Sequence, residues 1–234
     1  MSAILRRELS SYFNSAVGYV VLAVFWLFSG LSFYTYCLLY NTSSMQMFFA
    51  SMFTVIVLII PLITMRSFAE ERRRKTDQAL LTAPVNLFEI VFGKFLAAFI
   101  LFFLCNLVFV LYAIIIAGFT APDWAVFFST FFGILLLGAA LIAVDMFISA
   151  LTESQMIAVT VSIGIGILIT RLGDLAEYIN TEWVTNLINK ISFDKHFSNF
   201  FTGIISLSSV VFYLSVCAVF LFLTARVFEK RRWS

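Results

Sequence analysis

Charged side chains are scarce in this sequence. Asp, Glu, Lys and Arg make up 12% of its 234 residues, against about 25% in an average soluble domain. Hydrophobic residues reach 62%, and the chain contains 29 phenylalanines. This composition excludes an ordinary soluble fold. Because a spanning helix uses about 20 apolar residues, the length allows about six spans and no separate soluble domain.

Histidine and cysteine are also rare, with one and three copies respectively. The cysteines stand in separate apolar runs without CxxC spacing, so we interpret them as packing residues. The chain has no HExxH motif, and its one Gly-Lys pair, Gly93-Lys94, lacks the Ser or Thr that completes a phosphate-binding loop. We therefore expect no metal site, no catalytic residues, no cofactor and no ATP hydrolysis in this chain.

Six apolar runs are long enough to cross a bilayer. We predict spans at residues 17–39, 45–65, 95–118, 124–151, 156–172 and 204–228. Residues 1–15 mix apolar and charged side chains at helical spacing, which predicts an interfacial helix before the first span. Residues 172–191 show the same pattern and predict an external amphipathic helix between spans 5 and 6. The expected fold is all-α, in a single transmembrane domain over residues 1–234.

Lysine and arginine are divided unequally between the two ends of these spans. If the N-terminus is cytoplasmic, twelve of the 15 basic residues fall on the cytoplasmic side and three on the outer side. Positively charged loops resist translocation across the bacterial membrane. The split predicts a multi-pass protein of the bacterial inner membrane with both termini in the cytoplasm.

The loop between the second and third spans, residues 66–84, contains five of the 15 basic residues of the chain. Glu70 and Glu71 each stand four residues before a basic residue, the favoured order for pairs on a helix. We predict a helix from Phe68 to Leu81. Two interpretations remain open on residue chemistry alone: an ordinary solvated helix, or a surface that docks a cytoplasmic partner.

Several segments of the chain resemble motifs of the type-2 ABC exporter permeases. They are Arg7-Glu8-Leu9 with Ser11 to Ser15, Met65-Arg66 with Ala69 to Arg72, Leu80 to Pro84, Gly93-Lys94-Phe95, Ile148 to Gln155, His196 to Ile205 and Arg231-Arg232-Trp233. The resemblance covers nearly the whole chain and is closest to the gliding-motility and copper-site-assembly permease branches. The chain departs from the residues usual in the family at Ala16, Lys75 and Gln78.

This resemblance implies a membrane subunit driven by a separate cytoplasmic ATPase, which binds the ATP and Mg. It also implies two permease subunits, identical or homologous, and two ATPase subunits per transporter. The loop after the second span would carry a coupling helix that fits a cleft in the ATPase. The candidate coupling residues are Arg66, Phe68, Glu70, Glu71, Arg72, Arg73, Arg74, Lys75, Thr76, Leu80, Leu81 and Pro84.

Two further features fall inside the spans. Asp145 is the one ionisable residue deep in a predicted span, where a carboxylate is costly. It is either a substrate or proton contact, or a structural group near the cytoplasmic interface that hydrogen-bonds to a neighbouring helix such as the one carrying Ser149 or Thr160. Small residues at every fourth position of the fifth span form a smooth strip, which packs either within the subunit or along the pathway and dimer interface. The strip consists of Ala158, Ser162, Gly166 and Thr170.

Two alternatives to a transport subunit are a membrane anchor or scaffold and an intramembrane enzyme. A membrane anchor or assembly scaffold would use the basic loop to recruit a cytoplasmic protein without transport. An intramembrane enzyme needs paired carboxylates, Ser/His or metal ligands, and a lone Asp145 does not supply them. The expected partners are the ATPase, a second permease and the lipid bilayer, with no nucleic acid. Whether an external or membrane-anchored accessory protein uses the segment from Asp174 to Asn199 stays open.

Overall fold

The computed structural model describes residues 2–40, 42, 44–73, 87–176, 183, 188 and 190–232. In chain order, the helices of this described part are α1 (Ser2–Asn14), α2 (Ala16–Phe33), α3 (Gln46–Thr64), α4 (Ala69–Arg73), α5 (Leu87–Asn106), α6 (Val108–Ala117), α7 (Trp124–Leu151), α8 (Gln155–Ala176), α9 (Phe193–Phe201) and α10 (Leu207–Arg232). A π-helical turn, Tyr34–Leu39, continues α2. The described residues contain helices and no strands, as predicted.

Six of these helical segments are long and apolar enough to cross a membrane. Span 1 is α2 with its π-helical turn, span 2 is α3, span 3 is α5 with α6, span 4 is α7, span 5 is α8 and span 6 is α10. Span 4 packs against spans 2, 3, 5 and 6. In their most apolar windows, 72% of span 4 and 61% of span 2 is buried, against 28% for spans 1, 5 and 6. Spans 2 and 4 are therefore the centre of the bundle.

Spans 1, 2 and 3 are joined by aromatic packing. The rings of Phe33 and Tyr112 stack with their centroids 4.4 Å apart, and Phe48 packs edge-on against both. The Tyr112 hydroxyl lies 3.1 Å from Ser29 Oγ, so its polar tip is satisfied inside the apolar contact. Part of the large phenylalanine content therefore fills contacts between helices.

The predicted bounds of spans 1, 2 and 4 agree with the helices to within one residue, and those of spans 3, 5 and 6 differ. Span 3 begins at Leu87 rather than 95, and it is interrupted after Asn106, whose side-chain amide donates to Phe102 O at 2.7 Å. Span 5 continues to Ala176 rather than 172. Span 6 begins at Leu207 rather than 204, because Gly203 has a φ of 78° and separates it from α9.

The predicted amphipathic helices are described only in part. Residues 2–14 are helical as α1, and their placement on the membrane surface stays a prediction. Of the external segment 172–191, the first residues belong to span 5 and most of the remainder lies outside the described residues. Of the predicted helix 68–81, the described part is α4, which begins one residue later, at Ala69.

Contacts at the two ends of the bundle show that the chain runs back and forth between them. At one end, the Tyr12 hydroxyl donates to Ile63 O at 2.9 Å, and the Phe68 ring packs on Phe228 near the end of span 6. At the other end, the side chains of Gln46 and Thr130 donate to carbonyl groups of α9. The first end therefore holds α1, α4 and the end of α10, and we call it the basic end.

Candidate functional site

A buried lysine lies at the basic end of span 3. The Lys94 side chain is 1% exposed, and its ammonium lies 3.1 Å from Glu8 Oε1 and 2.9 Å from Glu71 Oε1. It also lies 5.3 Å from the centroid of the Phe68 ring. Removing an ammonium from water costs several kcal/mol unless carboxylates compensate it. These contacts therefore bind α1 and α4 to span 3.

Arg7 completes this group of charges. Its Nη2 lies 2.7 Å from Glu8 Oε1 and 3.1 Å from Glu71 Oε1. The hydrogen bond with Glu8 raises the pKa of Arg7, and the negative charges of Glu8 and Glu71 act in the same direction against the effect of burial. We call Arg7, Glu8, Glu71 and Lys94 the Lys94 cluster. It contains two cations and two carboxylates.

Arg72 contacts a different part of the bundle from the Lys94 cluster. Its Nη1 donates to Leu151 O at 2.9 Å, and its Nη2 lies 2.9 Å from Glu153 Oε1. The backbone N–H of Ala69 donates to Ser149 Oγ at 3.2 Å. The segment after span 2 is thus attached to the end of span 4 and to the turn that leads into span 5.

Of the other predicted coupling residues, some have contacts in the bundle, one is exposed and six lie outside the described residues. Arg66 Nε lies 3.6 Å from Glu70 Oε2. This i,i+4 ion pair was not predicted from the sequence. Phe68 is buried against Phe228, with ring centroids 4.6 Å apart. Arg73 is exposed. The remaining six lie outside the described residues: Arg74, Lys75, Thr76, Leu80, Leu81 and Pro84.

Sequence reasoning missed Lys94 as a site residue and used it only as part of a motif. The available signal was a lone basic residue beside Gly93 and Phe95, at the start of a long apolar run. A charge at such a position predicts a nearby counter-charge. The sequence did not show which carboxylates supply it.

A polar cavity of about 520 Å³ lies beside the Lys94 cluster. Its lining comes from α1, from the segment after span 2 and from Lys94, and it contains three basic and three acidic side chains together with Ser and Tyr hydroxyls. Burial raises the pKa of Tyr12, one of the lining residues, to about 12. Tyr12 therefore stays a neutral hydrogen-bond donor at physiological pH.

Asp145 is 3% exposed at a junction of three spans. The hydroxyl groups of Ser162 in span 5 and Thr64 in span 2 are its polar neighbours, and Thr64 Oγ1 donates to Ile60 O at 3.1 Å. The structural neighbours suggested by the sequence, Ser149 and Thr160, have other partners: Ser149 contacts Ala69, and Thr160 Oγ1 donates to Met156 O.

The four small residues of the fifth span, Ala158, Ser162, Gly166 and Thr170, are all buried within the chain. A Cβ added at Gly166 would lie 3.0 Å from Val57 Cγ1 of span 2, which shows how closely the two helices approach. The opposite face of span 5 is apolar and exposed, and it includes Ile157, Val161 and Leu168. Span 2 of the same subunit therefore packs on the strip at Gly166.

The sequence profile of the ABC-2 family transporter protein matches residues 27–233. The chain therefore belongs to this family, whose members are membrane subunits of ABC transporters that work with an ATPase component. It is a multi-pass membrane permease with six spanning helices. Helix α1 and the first half of span 1 lie outside the matched residues. No curated protein matches the chain in sequence.

Proposed function

We propose that this chain is the permease subunit of an ATP-binding cassette exporter in the bacterial inner membrane, with both termini in the cytoplasm. A separate cytoplasmic ATPase binds ATP and Mg and drives export or extrusion of a substrate, in a complex of two permeases and two ATPases. The observation that carries the proposal is the attachment of the segment after span 2. Its adjacent residues Glu71 and Arg72 bind to different parts of the bundle.

The contacts of α4 define the route by which a displacement would spread. Glu71 reaches span 3 and α1 through the Lys94 cluster, and Arg72 reaches the turn between spans 4 and 5. Span 2 is continuous with the segment, and Phe68 packs on span 6. A force applied to α4 therefore acts directly on spans 2 to 6. Such coordinated attachment suits a rigid-body change between two arrangements.

The described residues of the segment differ in whether they contact the bundle or are exposed. Glu71 and Arg72 contact the bundle, whereas Arg73 is exposed at the end of α4. We assign Arg73, with Arg74 and the residues that follow, to the ATPase contact. Glu71 and Arg72 are assigned to transmission within the permease. A loop that only recruited a scaffold partner would not need attachments to several spans.

The test begins with purification of the tagged chain from its native membrane in mild detergent and identification of the companions by mass spectrometry. We expect an ATPase with a nucleotide-binding loop. Charge reversal of Arg73 and Arg74 should reduce its copurification, whereas Arg72→Gln should leave copurification intact and lower ATP-driven transport. Normal copurification and ATP turnover in the Arg73/Arg74 variant would contradict the docking assignment. Absence of any ATPase would favour the scaffold alternative.

A further inference from the structure

Span 3 consists of two helices joined end to end. Helix α5 ends at Asn106 and α6 begins at Val108, although the junction contains neither proline nor glycine. The Val110 N–H donates to Leu107 O at 3.1 Å, three residues back instead of the four of an α-helix. A tightened turn of this kind inside a longer helix is a common feature of hinges.

The Asn106 side chain accounts for the break. Its Nδ2 donates to Phe102 O at 2.7 Å, so a side chain enters the backbone hydrogen-bond pattern of the helix. Its Oδ1 is buried and has no hydrogen-bond partner among the described residues. An unsatisfied buried acceptor raises the free energy of the arrangement that holds it. The broken form of span 3 therefore carries a cost that a change of angle at this point alters.

A residue of span 1 stabilises the break. Trp26 Nε1 donates to Cys105 O at 3.2 Å. In an unbroken helix this carbonyl accepts from the N–H four residues later. The indole gives the carbonyl a partner that does not depend on that geometry. The carbonyl therefore remains bonded when the angle between α5 and α6 changes.

The two halves of span 3 are attached to different parts of the protein. At its basic end, α5 is bound to α1 and α4 through the Lys94 cluster. Phe109 and Tyr112 of α6 belong instead to the aromatic contacts with spans 1 and 2. Close to the break, the Phe102 ring occupies the space that a Cβ at Gly138 of span 4 would need. A movement of α4 therefore displaces α5, with a pivot beside span 4, and leaves α6 in place.

We propose that Asn106 and Leu107 form a hinge, about which the basic half of span 3 swings while the opposite half stays fixed to spans 1 and 2. A movement that begins at α4 then stops at the middle of span 3, and the opposite end of the bundle keeps its contacts. The hinge is a property of the chain alone, whereas its use in transport rests on the proposed coupling to an ATPase.

The test uses the purified full-length chain with spin labels on pairs of introduced cysteines, and double electron–electron resonance to measure the distance within each pair. The basic-end pair, Phe92→Cys with Met156→Cys, joins spans 3 and 5 near the basic end. The opposite-end pair, Leu111→Cys with Leu168→Cys, joins the same two spans beyond the break. All four residues are exposed, and the native cysteines are buried.

In the chain alone, we expect a broader distance distribution for the basic-end pair than for the opposite-end pair. Asn106→Ala should narrow it, because the inserted side chain is gone and alanine favours a continuous helix. Asn106→Ser is the matched control: it leaves nearly the same space, but its hydroxyl can donate to Phe102 O and should preserve the broad distribution. Equal widths for the two pairs, or equal widths in the two variants, overturn the proposal.

In the complex with the ATPase, a non-hydrolysable ATP analogue should shift the basic-end distance by about 2–5 Å and leave the opposite-end distance unchanged. Asn106→Ala should still bind the ATPase and should lose this shift together with transport. Equal shifts at both pairs, or no basic-end shift in a complex that hydrolyses ATP, overturn the hinge. Absence of any ATPase contradicts the proposed function instead, and the measurement on the chain alone then decides about the hinge.

Discussion

The ammonium of Lys94 lies 3.1 Å from the carboxylate of Glu8, although 86 residues separate them in sequence. This contact joins the helix that precedes span 1 to the beginning of span 3. With Glu71 on its other side, Lys94 makes α1, α4 and span 3 one connected unit. A movement of the segment after span 2 therefore displaces α1 as well, and α1 becomes part of the proposed transmission path.

We expect Lys94→Met to destabilise the protein by about 3–5 kcal/mol, because it leaves Arg7 as the one cation of the cluster against two partly buried carboxylates. The measurement is denaturation of the purified protein in detergent. The control is Lys94→Met combined with Glu8→Gln, which leaves Arg7 and Glu71 as a neutral pair at 3.1 Å. The double variant should recover part of the loss. Equal stability of the single variant and the wild type would contradict the role of the cluster.

The two bonds of Arg72 should differ in strength. Glu153→Gln should cost less than about 1 kcal/mol, because the Glu153 side chain is 65% exposed and its ion pair is screened by water. Arg72→Gln also removes the bond to Leu151 O and should cost about 1–3 kcal/mol. Denaturation of both variants at low and high salt measures this. The Glu153→Gln effect should disappear at high salt, and identical effects of the two variants would contradict the assignment.

The predicted orientation can be tested with single cysteines. Ser44 is exposed in the loop between spans 1 and 2, and Arg73 is exposed at the basic end. In intact cells, a membrane-impermeant thiol reagent should label Ser44→Cys and should label Arg73→Cys only after permeabilisation. The native cysteines are buried, so they give a low background. Labelling of Arg73→Cys in intact cells would place the segment outside, where a cytoplasmic ATPase cannot reach it.

The spans could be predicted from sequence because their signal is local. A run of about 20 apolar residues has few alternatives to a membrane helix, and the bounds of span 4 agree with the structure. The start of span 3 was wrong for a physical reason. Glu89 and Lys94 interrupt the apolar run, yet the helix includes both, since the Lys94 charge is neutralised by residues from α1 and α4.

The partners within the candidate site could not be predicted, because they depend on how the helices pack. Helical spacing predicts a pair between Glu71 and Lys75, which lies outside the described residues, and it did not predict the ion pairs of Glu71 with Arg7 and Lys94. The sequence did not predict the contact of Arg72 with the turn after span 4. The role of the charged segment stays a prediction, and tertiary contacts decide which of its described charges face inward.

Asp145 should tolerate an amide better than an apolar residue. Asp145→Asn keeps the shape and can hydrogen-bond to the hydroxyls of Ser162 and Thr64, so we expect a stability change below about 1 kcal/mol. Asp145→Leu leaves polar neighbours without their partner and should cost about 1–3 kcal/mol. Denaturation in detergent compares the variants. A pH-dependent loss of transport in Asp145→Asn, at normal stability, would show instead that the ionisable group itself is used.

The close approach of spans 2 and 5 can be tested at two glycines on the same helix. A Cβ at Gly166 would lie 3.0 Å from Val57 Cγ1, whereas a Cβ at Gly164 would meet no atom within 4 Å. Gly166→Leu must therefore push span 5 away from span 2 and should destabilise the protein by about 1–3 kcal/mol, the usual cost of overpacking. Gly164→Leu makes the same change in helix propensity and side-chain volume on an open face. It should therefore be tolerated. Denaturation of the two variants decides the matter: if Gly164→Leu were the more damaging, the strip would not be the face that span 2 covers.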